Sequence, residues 1–385
     1  MKKFLLKTIS SDKLYEEMSS VGFDSSYINY ALLKYEYKNI KIFDLSLPQV
    51  NILKQTALSV GADCAIHRDI LTAAVKTSDC ILGGSISQIK KIVEKLKFQP
   101  FSMGVLAQQI ETIMESKESV SPKIVGILNL TRDSFSDGGL FYDYDRAIEH
   151  LNKLINDGAD IIDIGAESTK PYSNPVSAVE QLKVIEPILK HVSKKNIVIP
   201  ISIDTRSSEV AKRAIELGAS IINDVSGFDF DKNMVKVCAD GDVKVIIQHS
   251  QGTPETMQNN PEYVHLVDDI FKNLNTKIEL AQQSGIAKEN IIIDLGIGFG
   301  KTRKQNFELL NRVDEFKSLG CEVMLGLSRK SLLNMQNVSN DEKDIYTLVL
   351  NTIAIERKVD YLRVHNVSMN RKLVNLMNDY SNAVN

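Results

Sequence analysis

Cysteine is scarce in this 385-residue chain: Cys64, Cys80, Cys238 and Cys321 lie far apart, with no CxxC pair and no Cys/His spacing suited to zinc. That excludes a disulfide framework and a zinc module, and it fits buried thiols in a reducing compartment, so a cytoplasmic location is expected. An excess of charge of one sign is missing too. The 46 basic and 49 acidic residues are well mixed and leave a net charge of −3, so no long-range field gathers nucleic acid or anionic lipid, and any anion site must be local. Long apolar runs are absent. The N-terminal MKKFLLKTIS has only three apolar residues in a row, too few for a signal peptide, and no stretch approaches the roughly 20 of a membrane span. What is left is an ordinary globular composition, 43% hydrophobic and 25% charged, in a chain long enough for two or three domains of roughly 150 residues.

The polar stretch ETIMESKESVSPK, residues 111–123, ends in Ser-Pro and reads as a boundary between residues 1–115 and residues 121–385. Before it, the chain looks like a small α+β unit, with short strands at CAIHR and DCILGG followed by a helix. His67 and Asp69 in this part read as a surface or capping pair, and the role of the unit stays open. Beyond the boundary a rhythm sets in. Eight short β-branched runs recur: KIVGILN, DIIDIG, VIPISID, SIINDV, VKVIIQ, NIIIDLG, CEVMLGLS and YLRVH. Segments such as YDRAIEHLNKLINDGAD and SSEVAKRAIELGAS lie between them, with apolar residues at spacings of three and four and a closing glycine. Near-continuous apolar strands alternating with helices predict a parallel sheet covered on both faces, and eight units predict a (β/α)8 TIM barrel. An open doubly wound sheet is the alternative, but no GxGxxG follows the first run.

Active sites of such barrels sit at the C-terminal ends of the strands, and there every run carries polar residues. The first ends at Asn129 and enters SFSDGG, the second enters GAESTKP, the third ends at Asp204, and the fourth carries Asn223 and Asp224. The fifth leads to QHSQGTP, the sixth ends at Asp294 before GIGFGK, the seventh at SRKS, and the eighth at Arg363 and His365. A single such residue would read as a cap or an ion pair; all eight together read as one polar mouth. Arg329, Lys330, Arg363 and His365 place cations on the side of strands seven and eight, opposite the acidic and amide groups of strands three, four and six. GIGFGK lacks the Ser/Thr and spacing of a P-loop, so its glycines serve close backbone approach, with Phe299 turned toward a ligand and Met257 read as core.

GILNLTRDSFSDGG, GADIIDIGAESTKP, ISIDTRSSEVAKRAIELGASIINDVSG, HSQGTPETMQ, DLGIGFGKT, GLSRKSLL and LRVHNV, in this order over about residues 125–370, resemble dihydropteroate synthase. The first 110 or so residues resemble the extension of longer synthases of this kind. The resemblance implies that 4-aminobenzoate displaces pyrophosphate from 7,8-dihydropterin-6-ylmethyl diphosphate with Mg2+. It implies that Asp204, Asn223, Asp294 and Lys330 hold the pterin with Arg363 stacked beside it, and that Asn129, Arg363 and His365 take the diphosphate. Asn129 and Asp137 would assist the Mg2+, and Lys330, Arg363, His365 and Asp137 would be catalytic. Phe135, Thr169, Pro171, Phe299 and Ser331 would line the aminobenzoate pocket, where sulfonamides compete. The segment after the first strand would act as a lid hinged at Gly138-Gly139. No nucleic acid or membrane partner is implied, and a homodimer through the barrel is compatible.

Several residues depart from the family pattern: Thr131-Arg132-Asp133 for Thr-Pro-Asp, Lys170 for arginine, Ala166 for glycine, Leu295 for proline and Asn366 for aspartate. The last bears on the orientation of His365. A corrinoid-linked pterin methyltransferase domain is the nearest rival but would not need the SFSDGG and ESTKP loops. A catalytically silent pterin binder would tolerate loss of Lys330, Arg363 and His365, all present here.

Overall fold

The structure, a computed structural model, describes residues 4–115, 121–130, 140–167, 176–251, 262–330 and 338–384, with residues 140–143 and 384 described by backbone alone. Residues 1–116 and 117–384 form two compact units. In the first, helices α1 (Leu14–Ser20) and α2 (Ile28–Leu32) precede strand β1 (Tyr37–Ser46), helix α3 (Leu47–Leu58), strands β2 (Asp63–Ala65) and β3 (Thr77–Ser85), and helices α4 (Ile86–Leu96) and α5 (Met103–Met114). The strands form an antiparallel sheet in the order β1-β3-β2. Helix α4 starts at a capping box, Ser85 with Gln88, and buries Ile86, Ile89, Ile92, Val93 and Leu96 at spacings of three and four. Val50, Leu53 and Met103 join them in the core of this unit. His67 and Asp69 are a surface turn pair: the Asp69 amide donates to His67 Nδ1 at 3.2 Å, and both side chains are exposed.

The second unit is the predicted barrel. Strands β4 (Lys123–Asn129), β5 (Ile161–Gly165), β6 (Ile201–Asp204), β7 (Ile221–Asp224), β8 (Lys244–Gln248), β9 (Ile291–Asp294), β10 (Glu322–Leu325) and β11 (Tyr361–Val364) pair in parallel and close between β11 and β4. Helices α6 (Leu140–Asn156), α7 (Ala178–Lys194), α8 (Ser208–Glu216), α9 (Met234–Asp240), α10 (Leu266–Gln283), α11 (Arg303–Asn311), α12 (Asn340–Glu356) and α13 (Val367–Val384) follow the strands in turn. Capping boxes open α7 at Ser177, α11 at Thr302 and α12 at Ser339.

Alternation along each strand sorts the side chains into two cores. Ile124, Leu128, Ile162, Ile164, Ile203, Ile222, Ile247, Ile293 and Leu362 point outward and pack with the helices. Val125, Ile161, Ile221, Ile246, Ile292, Met324 and Tyr361 point inward and fill the barrel below the mouth. With that plug in place, the inward residues two steps farther along the strands sit over a dry floor: Ile127, Asp163, Asn223, Gln248, Asp294 and Arg363. The parity also separates neighbours. Asn223 shares the inward face with Ile221, whereas Asp224 shares the outward face with Ile222 and lies with the loops.

Candidate active site

The mouth is built from strand ends whose side chains converge because the register brings them level. Asn129 pairs with Gly165, Gly165 with Asp204, and Asp204 with Asn223; on the other side Gln248 pairs with Asp294. Asp204, Asn223 and Asp294 are buried. Arg363 reaches across from β11: its Nε donates to Asp163 Oδ2 at 2.6 Å and its Nη2 to Asp204 Oδ2 at 2.6 Å. One guanidinium therefore serves two carboxylates. Burial pushes Asp204 up to about 7, with Arg363 opposing and Asp163 adding to the rise. Asp294 is likewise pushed up by burial, opposed by Lys330, and its Oδ1 accepts the Gly296 amide at 2.7 Å.

Lys330 follows β10 and lies against the turn after β9. Its Nζ donates to the Ile297 carbonyl and stands 4.7 Å from the centre of the Phe299 ring. Burial pulls it down to about 8, against the pull of Asp294. The Gly296–Phe299 turn that supplies these contacts depends on glycine. Gly296 has φ +64°, and a Cβ there would stand 1.9 Å from the His249 carbonyl oxygen, which no side chain permits; a Cβ on Gly298 would meet Lys330 Cδ at 3.3 Å. Beneath the turn, the Lys301 ammonium donates to the Gly296 and Phe299 carbonyls at 3.0 and 2.9 Å and lies 3.0 Å from His249 Nδ1. Burial holds both Lys301 and His249 well below their ordinary values.

His365 is set by Ser328, whose Oγ lies 3.0 Å from Nδ1 and accepts the His365 amide at 3.2 Å. Burial, with Arg329 and Arg363 nearby, pulls His365 down to about 3, so the ring is neutral at physiological pH. Arg329 has a different place from the one expected. Both its Nε and Nη2 donate to Asp344 at 2.8 Å, fastening the residues after β10 to α12. Asp224 also departs from expectation: outward by parity, it accepts the amides of Ser226 and Phe228, both at 2.8 Å, and thereby closes the turn after β7.

Residues 125–365 match the family of pterin binding enzymes. A dihydropteroate synthase from Clostridium beijerinckii is 43% identical over 251 residues, covering 65% of this chain and 90% of that protein. In structure, a dihydropteroate synthase from Clostridium difficile, crystallised in the presence of pteroic acid, superposes with a TM-score of 0.64 at 39% identity, covering 69% of this chain and 98% of that one. The chain belongs to the dihydropteroate synthase family. Its members are transferases. A probable bifunctional folylpolyglutamate synthase/dihydropteroate synthase from Haloferax volcanii is 32% identical over 352 residues; this chain spans 41% of that protein's length. That match takes in 85% of this chain, more than the barrel unit can supply, so the likeness reaches into residues 1–116.

Within this family frame, the structure brings together Asn129, Asp204, Asn223, Asp294, Phe299, Lys330, Arg363 and His365 at the barrel mouth. Phe135, Asp137, Thr169, Pro171 and Ser331, with Arg132, Lys170, Met257 and the Gly138-Gly139 hinge, lie outside the described residues. The sequence reading missed Asp163, Lys301 and the Glu167–Arg206 pair. Arg206 donates to both oxygens of Glu167 at 3.1 and 2.8 Å. Asp163 had a signal: a charged residue on the inward face of an otherwise apolar strand, in phase with Gly165. The family departures are absorbed locally. Leu295 and Ala166 are buried in the outer core, and Asn366 donates to Asp344 at 3.1 Å while its Oδ1 accepts the Met369 amide at 3.1 Å, capping α13. Ser328 supplies the orientation of His365 that Asn366 leaves unassigned.

Proposed function

We propose that the barrel mouth condenses 7,8-dihydropterin-6-ylmethyl diphosphate with 4-aminobenzoate: the bond between the methylene carbon and the diphosphate oxygen breaks, pyrophosphate leaves with the electron pair, and the amine nitrogen bonds to that carbon and gives up one proton, which pyrophosphate or water takes. The observation that carries this reading is a buried cluster at the strand ends, Asp204, Asn223 and Asp294, with Arg363 bonded to Asp204 and Lys330 close to Asp294. An amino-pyrimidinone edge presents several N–H donors and a carbonyl, and it matches acceptors flanked by an ammonium. The relatives bind ligands of this kind: the Xanthomonas albilineans synthase has been crystallised with 4-aminobenzoic acid and with 7,8-dihydropteroate, and the Yersinia pestis synthase with a sulfonamide drug.

Departure of diphosphate from a methylene on an electron-rich ring favours a dissociative route, in which the protein's part is to stabilise charge and exclude water. Arg363 and neutral His365 donate to the leaving diphosphate, Lys330 fixes the pterin ring, and Phe299 borders the aminobenzoate. Asn129, at the end of β4 and paired with Gly165, would join them. Bound Mg2+ would neutralise diphosphate charge. It takes one or two protein oxygens and completes its shell with water and phosphate, which suits Asn129 and Asp137. Among the described residues no three His, Cys, Asp or Glu side chains gather as a metal cage.

A homodimer through the barrel fits exposed apolar residues on two successive helices, Ile345, Val349 and Ile353 on α12 and Leu376 and Tyr380 on α13. Four buried, unpaired cysteines fit a reducing cytoplasm; among the described residues no helix is long and apolar enough to cross a membrane. The test is a coupled assay with pterin diphosphate, 4-aminobenzoate and Mg2+. Pyrophosphate release dependent on aminobenzoate supports the reading, and release that ignores aminobenzoate overturns it.

A further inference from the structure

Among the described residues, Asp163 is a charged group of the barrel interior that the reaction leaves without a part. It is level with Ile127 and Ser202 in the strand register, while Gly165 two residues on is level with Asn129 and Asp204. It is fully buried. A carboxylate so placed is tolerated only when its oxygens are occupied by donors. Oδ1 accepts the Ser202 hydroxyl at 2.6 Å, and Oδ2 accepts Asn223 Nδ2 at 3.2 Å and Arg363 Nε at 2.6 Å. The three donors come from β6, β7 and β11, and two of them belong to residues assigned above to the substrate.

The contact to Asn223 has a directional consequence. A primary amide has one donating end and one accepting end, and the Asp163 oxygens, which receive three donors, act here as acceptors. Asp163 therefore compels the amide nitrogen of Asn223 to face it, and the oxygen to face away from it. That oxygen is buried and, among the described residues, has no hydrogen-bond partner. A buried acceptor left so is unfavourable until a donor arrives. The same carboxylate, with Asp204, fixes the plane of the Arg363 guanidinium.

We propose that Asp163 is a positioning residue that sets the hydrogen-bond polarity of the pocket: it locks Asn223 with its oxygen toward the ligand, so that the pocket demands an N–H donor at that point. The inference rests on the pterin reading of the site and deepens it. Asp163 does not itself reach the ligand.

The experiment is calorimetric titration of the full chain with pterin, for the parent, Asp163→Asn, Asn223→Ala and the double variant, each checked for folding by circular dichroism. Asp163→Asn lets the two amides reverse, and roughly tenfold to hundredfold of pterin affinity is lost. In the Asn223→Ala background the same change costs less than about threefold, because the amide it acts through is gone. Equal losses in both backgrounds, or none in either, overturn the proposal. No pterin binding by the parent chain would instead sink the pterin reading itself. If Asp163→Asn does not fold, side-chain amide exchange in the parent chain, labelled with 15N at asparagine and assigned through Asn223→Ala, decides the same point. Slow exchange of Asn223 Nδ2–H without ligand is expected; exchange as fast as an exposed amide overturns the proposal.

Discussion

At the scale of single residues, the mouth trades stability for recognition. Asp204 is a buried carboxylate sharing Arg363 with Asp163, and in the proposed reaction it reads a donor on the pterin edge. Replacing it by asparagine puts an NH2 where an acceptor is needed, so Asp204→Asn is expected to lose roughly 10-fold to 200-fold of pterin affinity, the value of a charge-assisted hydrogen bond. Because Asp204 also holds Arg363, affinity for Mg-pyrophosphate should fall as well, by less. Titrating the variant separately with pterin and with Mg-pyrophosphate checks both, and an unchanged pterin affinity would leave Asp204 a structural residue. Asp204, Asn223 and Asp294 were legible in the sequence as strand-end residues. Asp163 showed only as a charged residue on an apolar strand; its importance lies in donors 39, 60 and 200 residues away along the chain.

At the scale of elements, the turn after β9 is the part most tightly specified. Lys301 ties two of its carbonyls and Lys330 a third, while Gly296 passes the His249 carbonyl with no room for a methyl group. Gly296→Ala must push the turn away and take Phe299 with it. The expected result is a rise of at least about tenfold in KM for 4-aminobenzoate, with binding of pterin less affected; steady-state kinetics with each substrate varied in turn would show it, and a variant with unaltered KM values would mean that the turn does not border that substrate. Sulfonamides should compete with aminobenzoate at the same place, and purely noncompetitive inhibition would contradict that assignment. Strand β1 was not foreseen, although it makes the longest ladder of the first unit. Its sequence, YKNIKIFDLS, is interrupted by a bulge between Ile42 and Leu45 with Asp44 at φ 56°, so the period of two is broken where a reader would look for it.

At the scale of the whole molecule, burial of charge gives the stability curve a shape. The Asp204 carboxyl moves from 3.8 to about 7 on folding, so between those values the folded chain holds more protons than the unfolded one, and this contribution lowers stability as pH rises from about 4 to about 7. Lys330 moves from 10.5 to about 8, so there the unfolded chain holds more protons, and stability rises with pH between about 8 and 10.5. Subtracting the melting curve of Asp204→Asn from that of the parent, without ligand, isolates the first effect: the variant gains relative to the parent from pH 4 to 7 and keeps the gain above. A difference that is flat or of opposite slope would contradict the buried-carboxylate account. The two units can be separated in the same spirit. A chain beginning at Ser121 retains every described residue of the proposed site; it should fold and turn over substrate, and a folded but inactive product would assign residues 1–116 a part in the site or in the assembly that forms it. Light scattering should give twice the chain mass, and Val349→Glu on the exposed stripe of α12 should halve it.

The repeated β-branched runs, the glycine-ended helical segments and the polar residue at each strand end are local patterns, readable along the chain because burial on both faces of a parallel strand and the capping of a helix act over a few residues. They determined the barrel, the mouth and most of the residues around it. Tertiary structure alone decided which of two adjacent polar residues faces inward, as with Asn223 and Asp224, and which cations are free for a ligand, as with Arg329 bound to Asp344. It alone joined Asp163 to Asn223 and Arg363. Those outcomes depend on register and closure, which set side chains from β5, β6, β7 and β11 at one height, and no spacing along the chain encodes the height at which a strand enters a closed sheet.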